Sequence, residues 1–168
     1  MRTLLEEALE AWDDTRKNLI AEAENIPAKG FPYRPTPEQR SVAELIVHIM
    51  EVSMMMVGEL SREDTNLRRY AWPKMLAHYA GDVQKLSSKR DLVAALRRTL
   101  REGTKAFERA GEVHMLQQIV RFDDQKGTRL SWFHHGIAHE NYHTGQLAAY
   151  ARLLGLKPAL TQRIEGSA

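Results

Sequence analysis

The sequence predicts an all-α protein: a four-helix bundle with a long first connection and a short irregular or hairpin insertion before the last helix. Four stretches repeat apolar residues at helical spacing, and segments rich in Pro, Gly and Asp separate them. Only residues 111–130 carry a strand-like run. A chain of 168 residues is the size of one domain, so residues 1–168 are read as a single bundle.

In the first helix Leu5, Leu9, Trp12, Leu19 and Ile20 recur on one stripe, with acids and bases opposite, and the helix ends near Ile26-Pro27. Residues 27–37 hold four prolines and a glycine and read as a loop, long enough to carry the chain the length of a bundle. The second helix has two candidate starts, Thr36-Pro-Glu-Gln39 and Ser41-Val-Ala-Glu44. Both are capping boxes, in which a hydroxyl takes a backbone N–H and the acid or amide three residues later returns the bond. From either start the helix runs through Val42, Leu45, Ile49, Val52 and Met56 to about Leu60. Met54, Met55 and Met56 cannot all face one side; they serve as adaptable core filler or as a soft binding wall.

Residues 61–87 are mixed. Trp72-Pro73 interrupts, Lys74 to Tyr79 form a short helix, and Gly81-Asp82 breaks it. A third long helix opens at the Ser88-x-x-Asp91 cap, with Leu92, Leu96, Leu100 and Phe107 on one stripe. Ile119, Val120 and Phe122 precede a turn-forming run, so Gly111 to Leu130 is an irregular excursion or short hairpin. The fourth long helix starts at Ser131 and runs to Leu154, with Gly155 as its cap. The tail from Lys157 to Ala168 wraps the surface.

Composition narrows the function. Lys plus Arg is 24 and Asp plus Glu is 22, and a net charge of +2 is too small for a strong phosphate footprint, so nucleic acid is not an expected partner. The absence of cysteine removes disulfides, thiolate metal sites and cysteine nucleophiles together. No apolar run approaches the ~18 residues of a membrane span. The N-terminus lacks an apolar signal core, so a cytoplasmic protein with no membrane partner is expected.

Seven histidines remain, four of them between positions 134 and 143. His139 and His143 are four residues apart, which puts them ~40° apart around a helix axis and one turn apart along it. Trp132, Gly136, His139, His143, Leu147, Tyr150 and Leu154 form one stripe, which places the pair on the core-facing seam; Glu140 and Arg152 fall away from it. His48 lies on the apolar stripe of the second helix, between Leu45 and Val52. An unpaired imidazole buried among aliphatics costs about 1–3 kcal/mol, and convergence of three on a divalent ion would turn that cost into binding. Three neutral imidazoles leave an ion its full charge and an open position, the layout of a catalytic site. His135 is also one turn before His139, but lies ~12 Å along the axis from His143, so both cannot serve one ion. His134 and His135 are then supporting or surface groups, and His78 and His114 face solvent.

The segment His139-Glu140-Asn-Tyr-His143 also satisfies H-E-x-x-H, in which the glutamate activates a zinc-bound water. The longer zinc-peptidase signature fails, because Gln146 and Ala149 stand where a glycine and a third histidine belong. Glu165 lies downstream as a substitute ligand, but in a terminal tail.

The pieces Ser41-Val-Ala-Glu-Leu-Ile-Val-His48 and His139-x-x-x-His143-Thr-Gly-Gln-Leu147 resemble the DinB/YfiT-like superfamily of metal-binding four-helix proteins. The resemblance spans nearly the whole chain, and the H-x-G-Q run after the second histidine of the pair is its most specific part. It implies that His48, His139 and His143 hold a divalent metal ion, zinc or nickel, usually in a homodimer. Some members of the superfamily are similar to thiol-dependent transferases and isomerases that use mycothiol, bacillithiol or glutathione. The family pattern assigns Glu140 no role. The expectation is a metal-dependent enzyme acting on a small-molecule substrate, with or through a low-molecular-weight thiol. The alternatives are a non-catalytic metal-binding stress or sensor protein and, behind it, a zincin-like hydrolase.

Overall fold

A computed structural model describes residues 2–64, 66–68 and 70–167; Met1 and Ala168, the ends of the expected domain, lie outside the described residues. Helix α1 spans Leu4–Asn25, α2 Val42–Leu60, α3 Trp72–Ala80, α4 Lys89–Met115, α5 Arg129–Leu153 and α6 Ala159–Gly166. Strands β1 (Gln118–Val120) and β2 (Lys126–Thr128) pair antiparallel in a small hairpin, so the strand-like signal before the last long helix marked a real element. No helix among the described residues is long and apolar enough to cross a membrane.

The four long helices form a bundle in which α1 packs on α4 and α5, and α2 packs on the same two. Helices α1 and α2 are therefore diagonal partners. That is the reason for the long first connection: the chain must cross the end of the bundle rather than turn back beside itself. The crossing is held down by Phe31, fully buried in the core, and by backbone bonds from Val42 N to Tyr33 O (3.1 Å) and Ala43 N to Phe31 O (3.0 Å). Of the two candidate starts, Ser41 is the N-cap of α2, and it closes a reciprocal capping box with Glu44. Thr36 does not cap the helix; its carbonyl accepts the backbone N–H of Gln39 in a turn.

Four local expectations need correction. Pro73 does not interrupt a helix but opens one: it sits in the first turn of α3, where its missing N–H costs nothing. Helix α4 runs past Gly111, which breaks the helical geometry with φ 79° and ψ 163°, and resumes to Met115, so part of the supposed excursion is helical. Nothing lies near a Cβ added at Gly111, so glycine is needed there for its backbone conformation and not for space. The tail is not a plain wrap but helix α6. Glu22 of α1 accepts the Ala159 backbone N–H at 2.8 Å, and Asn25 donates to the Lys157 carbonyl at 2.9 Å. The last long helix starts two residues earlier than expected, with Thr128 rather than Ser131 as its cap; Gly155 follows it in the left-handed conformation.

The core falls into two apolar halves. One gathers Leu19, Ile46, Ile49, Leu96 and Leu147; the other gathers Trp12, Met55, Phe107, Phe133 and Ile137. Between them lies a polar layer built around Arg16. Its guanidinium donates to the Leu96 carbonyl (2.9 Å), Thr99 Oγ1 (2.8 Å), Ser53 Oγ (2.9 Å) and the Glu140 carboxylate. All four long helices contribute to that layer, which fixes their relative rotation. A buried charge of this kind persists only when every donor is matched.

Candidate metal centre

Two helices supply the site. His48 sits on α2 one turn before Val52, and His139 and His143 sit one turn apart on α5. Their ring nitrogens come together: His48 Nε2 lies 3.2 Å from His139 Nε2, which lies 3.1 Å from His143 Nε2. The three ligand atoms fall within 4.8 Å of one another, close enough for one ion to be held by all three. His143 is buried and the other two are half-buried, at the mouth of the α2–α5 seam.

The outer nitrogens show which atoms are free to bind. His143 Nδ1 is 2.7 Å from Gln146 Oε1, an acceptor, so that nitrogen carries the proton and Nε2 keeps its lone pair. His48 Nδ1 faces the Glu51 carboxylate at 4.0 Å, and Glu51 is itself held by Gln84 Nε2 at 2.6 Å. Both contacts turn Nε2 toward the centre. Nitrogens at this separation either share a hydrogen bond through a neutral N–H tautomer or are bridged by a cation, and a positive charge on His48 or His139 is disfavoured. Burial, the Arg40 charge and His143 push His48 down to about 4. Burial, the two neighbouring histidines and Arg40 push His139 down to about 4. At neutral pH the His48 and His139 rings are uncharged, the state a divalent ion requires of its ligands. The donor set fits such an ion, with imidazole nitrogens only and no protein carboxylate within the cluster.

Two clefts open onto the histidines. One of about 550 Å³ is lined by His48, Arg40, Glu51 and Gln84, and one of about 530 Å³ by His143, Arg40, Tyr142 and Gln146. Arg40 borders both, and its side chain makes no ion pair among the described residues.

The remaining histidines are not part of the cluster, although His135 lines a recess beside His139, with its ring 4.6 Å from that of Trp132. His134, His135 and His78 are exposed. His114 was expected to face solvent; instead its Nε2 contacts the Leu60 carbonyl at 2.8 Å, where it helps close the end of α2 beside the buried Arg129. Glu165 is exposed on α6 and pairs with Lys157.

Glu140 overturns one expectation outright. It does not fall away from the core: it is 1 % exposed, and its carboxylate accepts from Arg16 and from Trp12 Nε1 at 3.0 Å. The inward face of α5 is centred on Phe133, Ile137, Glu140 and Leu147, with the histidines along its edge. The H-E-x-x-H glutamate is thus committed to the core layer and not to the histidine cluster. Its partner was detectable, since the α1 stripe has a gap between Trp12 and Leu19 that Arg16 fills. Gln146 could be found as the group three residues beyond His143; Arg40 and Glu51 leave no such trace in one sequence.

These features define a helical bundle with a three-histidine, metal-competent centre between two of its helices. The chain belongs to the DinB family, whose model matches residues 1–165. A DinB-like protein from Bacillus subtilis has a similar structure, at 20% identity and TM-score 0.67, covering 89% of this chain and 92% of that one. YfiT from Bacillus subtilis, a probable metal-dependent hydrolase with an unusual four-helix bundle topology, is similar at 13% identity and TM-score 0.71, covering 91% and 89%. The mycothiol-dependent maleylpyruvate isomerase is similar at 14% identity and TM-score 0.68; the match covers 88% of this chain and 63% of that one. No curated protein matches the sequence.

Proposed function

We propose that this protein is a metal-dependent enzyme that works on or with a small thiol, in a transferase or isomerase type of reaction, at a three-histidine centre. The observation that carries the reading is the convergence of His48, His139 and His143 through Nε2, with no fourth protein ligand in the cluster among the described residues. A divalent ion there, zinc or nickel by its imidazole donors, would supply Lewis acidity that favours the ionised form of a bound thiol.

The residues around the centre have separate jobs. Gln146 orients the His143 ring by holding its Nδ1–H, and Glu51 faces the His48 ring from behind. Arg40, shared by both clefts, offers its charge to an anionic group on the incoming molecule. His48 and His143 keep the centre open to the two clefts. A thiol reading is supported further by the likeness to a mycothiol-dependent isomerase.

The test is metal analysis of tag-free protein followed by a panel of thiols with electrophiles. About one equivalent of metal, its loss in His143→Ala and turnover by the intact protein are the expected results. Unchanged metal content in His143→Ala would overturn the ligand assignment. Hydrolysis is the second reading, favoured by the likeness to YfiT; it predicts metal-dependent turnover of esters or amides with no thiol present. Metal bound at the same residues with no turnover of either kind would leave the non-catalytic sensor reading.

A further inference from the structure

A third recess, of about 200 Å³, meets the centre at His139 and shares no lining residue with the two Arg40 clefts. Its walls are Val52, Met55 and Met56 from α2, Trp72 from the start of α3, Phe122 from the hairpin turn and Trp132 from α5. The Trp72 and Phe122 rings meet edge-on at 5.4 Å, and Phe122 and Trp132 lie 6.0 Å apart, so three aromatics make one continuous wall. Gly136 also lines the recess, three residues before His139; a Cβ there would come within 3.3 Å of Met56 Cε. His135 lines it beside His139, with its ring 4.6 Å from Trp132, and among the described residues no carboxylate, lysine or arginine does. The Arg121 guanidinium lies 5.3 Å from the Trp132 ring, outside the lining.

The geometry points to this recess as the subsite for the apolar part of a small-molecule substrate, a single ring or short alkyl chain, whose reactive end lies at the three-histidine centre. The inference rests on that centre being where the reaction occurs. The volume sets the size: it lies below the ~300 Å³ at which pockets for drug-sized ligands begin. Wall chemistry sets the class. Thioethers on one side adapt to the outline of a guest, and aromatic faces on the other favour apolar contact over hydration. Trp72, 42 % exposed, carries apolar surface at this mouth that a bound guest would cover. The two reactants are thereby sorted: the hydrophilic one enters past Arg40, and the apolar one enters past Trp72.

Straight-chain alkanethiols from ethanethiol to hexanethiol test this directly on zinc-loaded protein. They carry no charge for Arg40, and they differ only in methylenes. Two of the three tryptophans line the recess, so quenching of tryptophan fluorescence reports occupancy. Affinity should tighten about fourfold per methylene until the recess is full. Gly136→Leu, which fills the recess, should bind ethanethiol as the parent does but lose the chain-length dependence. Trp72→Ala, a change at an exposed wall, should weaken hexanethiol severalfold and leave ethanethiol unchanged. A flat chain-length series in the parent overturns the subsite and leaves the metal centre standing. If no thiol binds the zinc-loaded protein, the reading of the centre fails, and toluene decides the recess alone. Toluene binding, read as a blue shift of tryptophan emission that disappears in Gly136→Leu, supports the recess; no shift at saturating toluene overturns it.

Discussion

Arg16 of α1 and Glu140 of α5 face each other in the core, Arg16 0 % and Glu140 1 % exposed, with both carboxylate oxygens engaged and Nη2 2.9 Å from Oε2. Trp12 adds a third donor to the same carboxylate. Glu140 follows His139 directly in sequence, yet the two side chains serve different places: Glu140 anchors the bundle, and His139 joins the histidine cluster and lines the apolar recess.

Neutralising the acid would leave the arginine charge buried without its counterpart. Glu140→Gln is expected to lose about 3–5 kcal/mol of stability, read by urea unfolding, while the folded fraction keeps its metal. A variant as stable as the parent but catalytically dead would instead make Glu140 the general base of a zincin-like site.

Gln146 is expected to matter through a ring it only holds. Gln146→Ala frees the His143 imidazole to rotate and to move its proton to Nε2, and metal affinity should fall about 10–100-fold in competition with a chelator. The fold should not change, since Gln146 is only half-buried and its side chain accepts from His143 in the cleft.

The depressed histidines give the metal-free protein a defined acid sensitivity. His48 and His139 titrate near 4 in the fold, against about 6.5 in the unfolded chain, so between those values the unfolded state binds more protons. Stability is therefore full above about pH 6.5 and declines as pH falls toward 4, by a few kcal/mol for the pair. Thermal melts of metal-free protein across that range should show the decline, and His48→Phe should flatten it. A melting temperature constant from pH 7 to 4 would contradict the depressed values.

Arg40 should act on metal and substrate in opposite directions. Its charge lies close enough to the centre to disfavour protonation of His48 and His139, and it opposes a divalent ion in the same way. Arg40→Gln is expected to bind metal severalfold more tightly at low salt and to raise the KM for an anionic thiol. Weaker metal binding in this variant would mean that Arg40 supports the centre mechanically.

Much of this was legible in the sequence because it rests on periodicity. The spacing of His139 and His143 fixes their common face by helical geometry alone, and the Ser41 and Ser88 caps mark where α2 and α4 begin. What escaped depends on which side of a mixed helix turns inward. Along α5 apolar and polar residues are interleaved all the way round, so a stripe through Trp132, Gly136 and His139 looked as good as one through Phe133, Ile137 and Glu140. Only Arg16, contributed from more than a hundred residues away, makes the second face the inward one. Pro73 and Gly111 misled for a related reason. Each is a helix breaker by local rule, tolerated here by position in a first turn and by a kink.

The shared stretch of α5 also constrains how this chain can vary over time. Because His139 and Glu140 are neighbours with separate duties, losing or gaining one residue between Phe133 and His139 would swing everything downstream by about 100°. That shift would carry both the cluster and the core anchor out of place together. Point substitution can retune the clefts one side chain at a time, whereas around α5 a change of length keeps both groups in register only in the hairpin upstream or in the segment beyond Gly155.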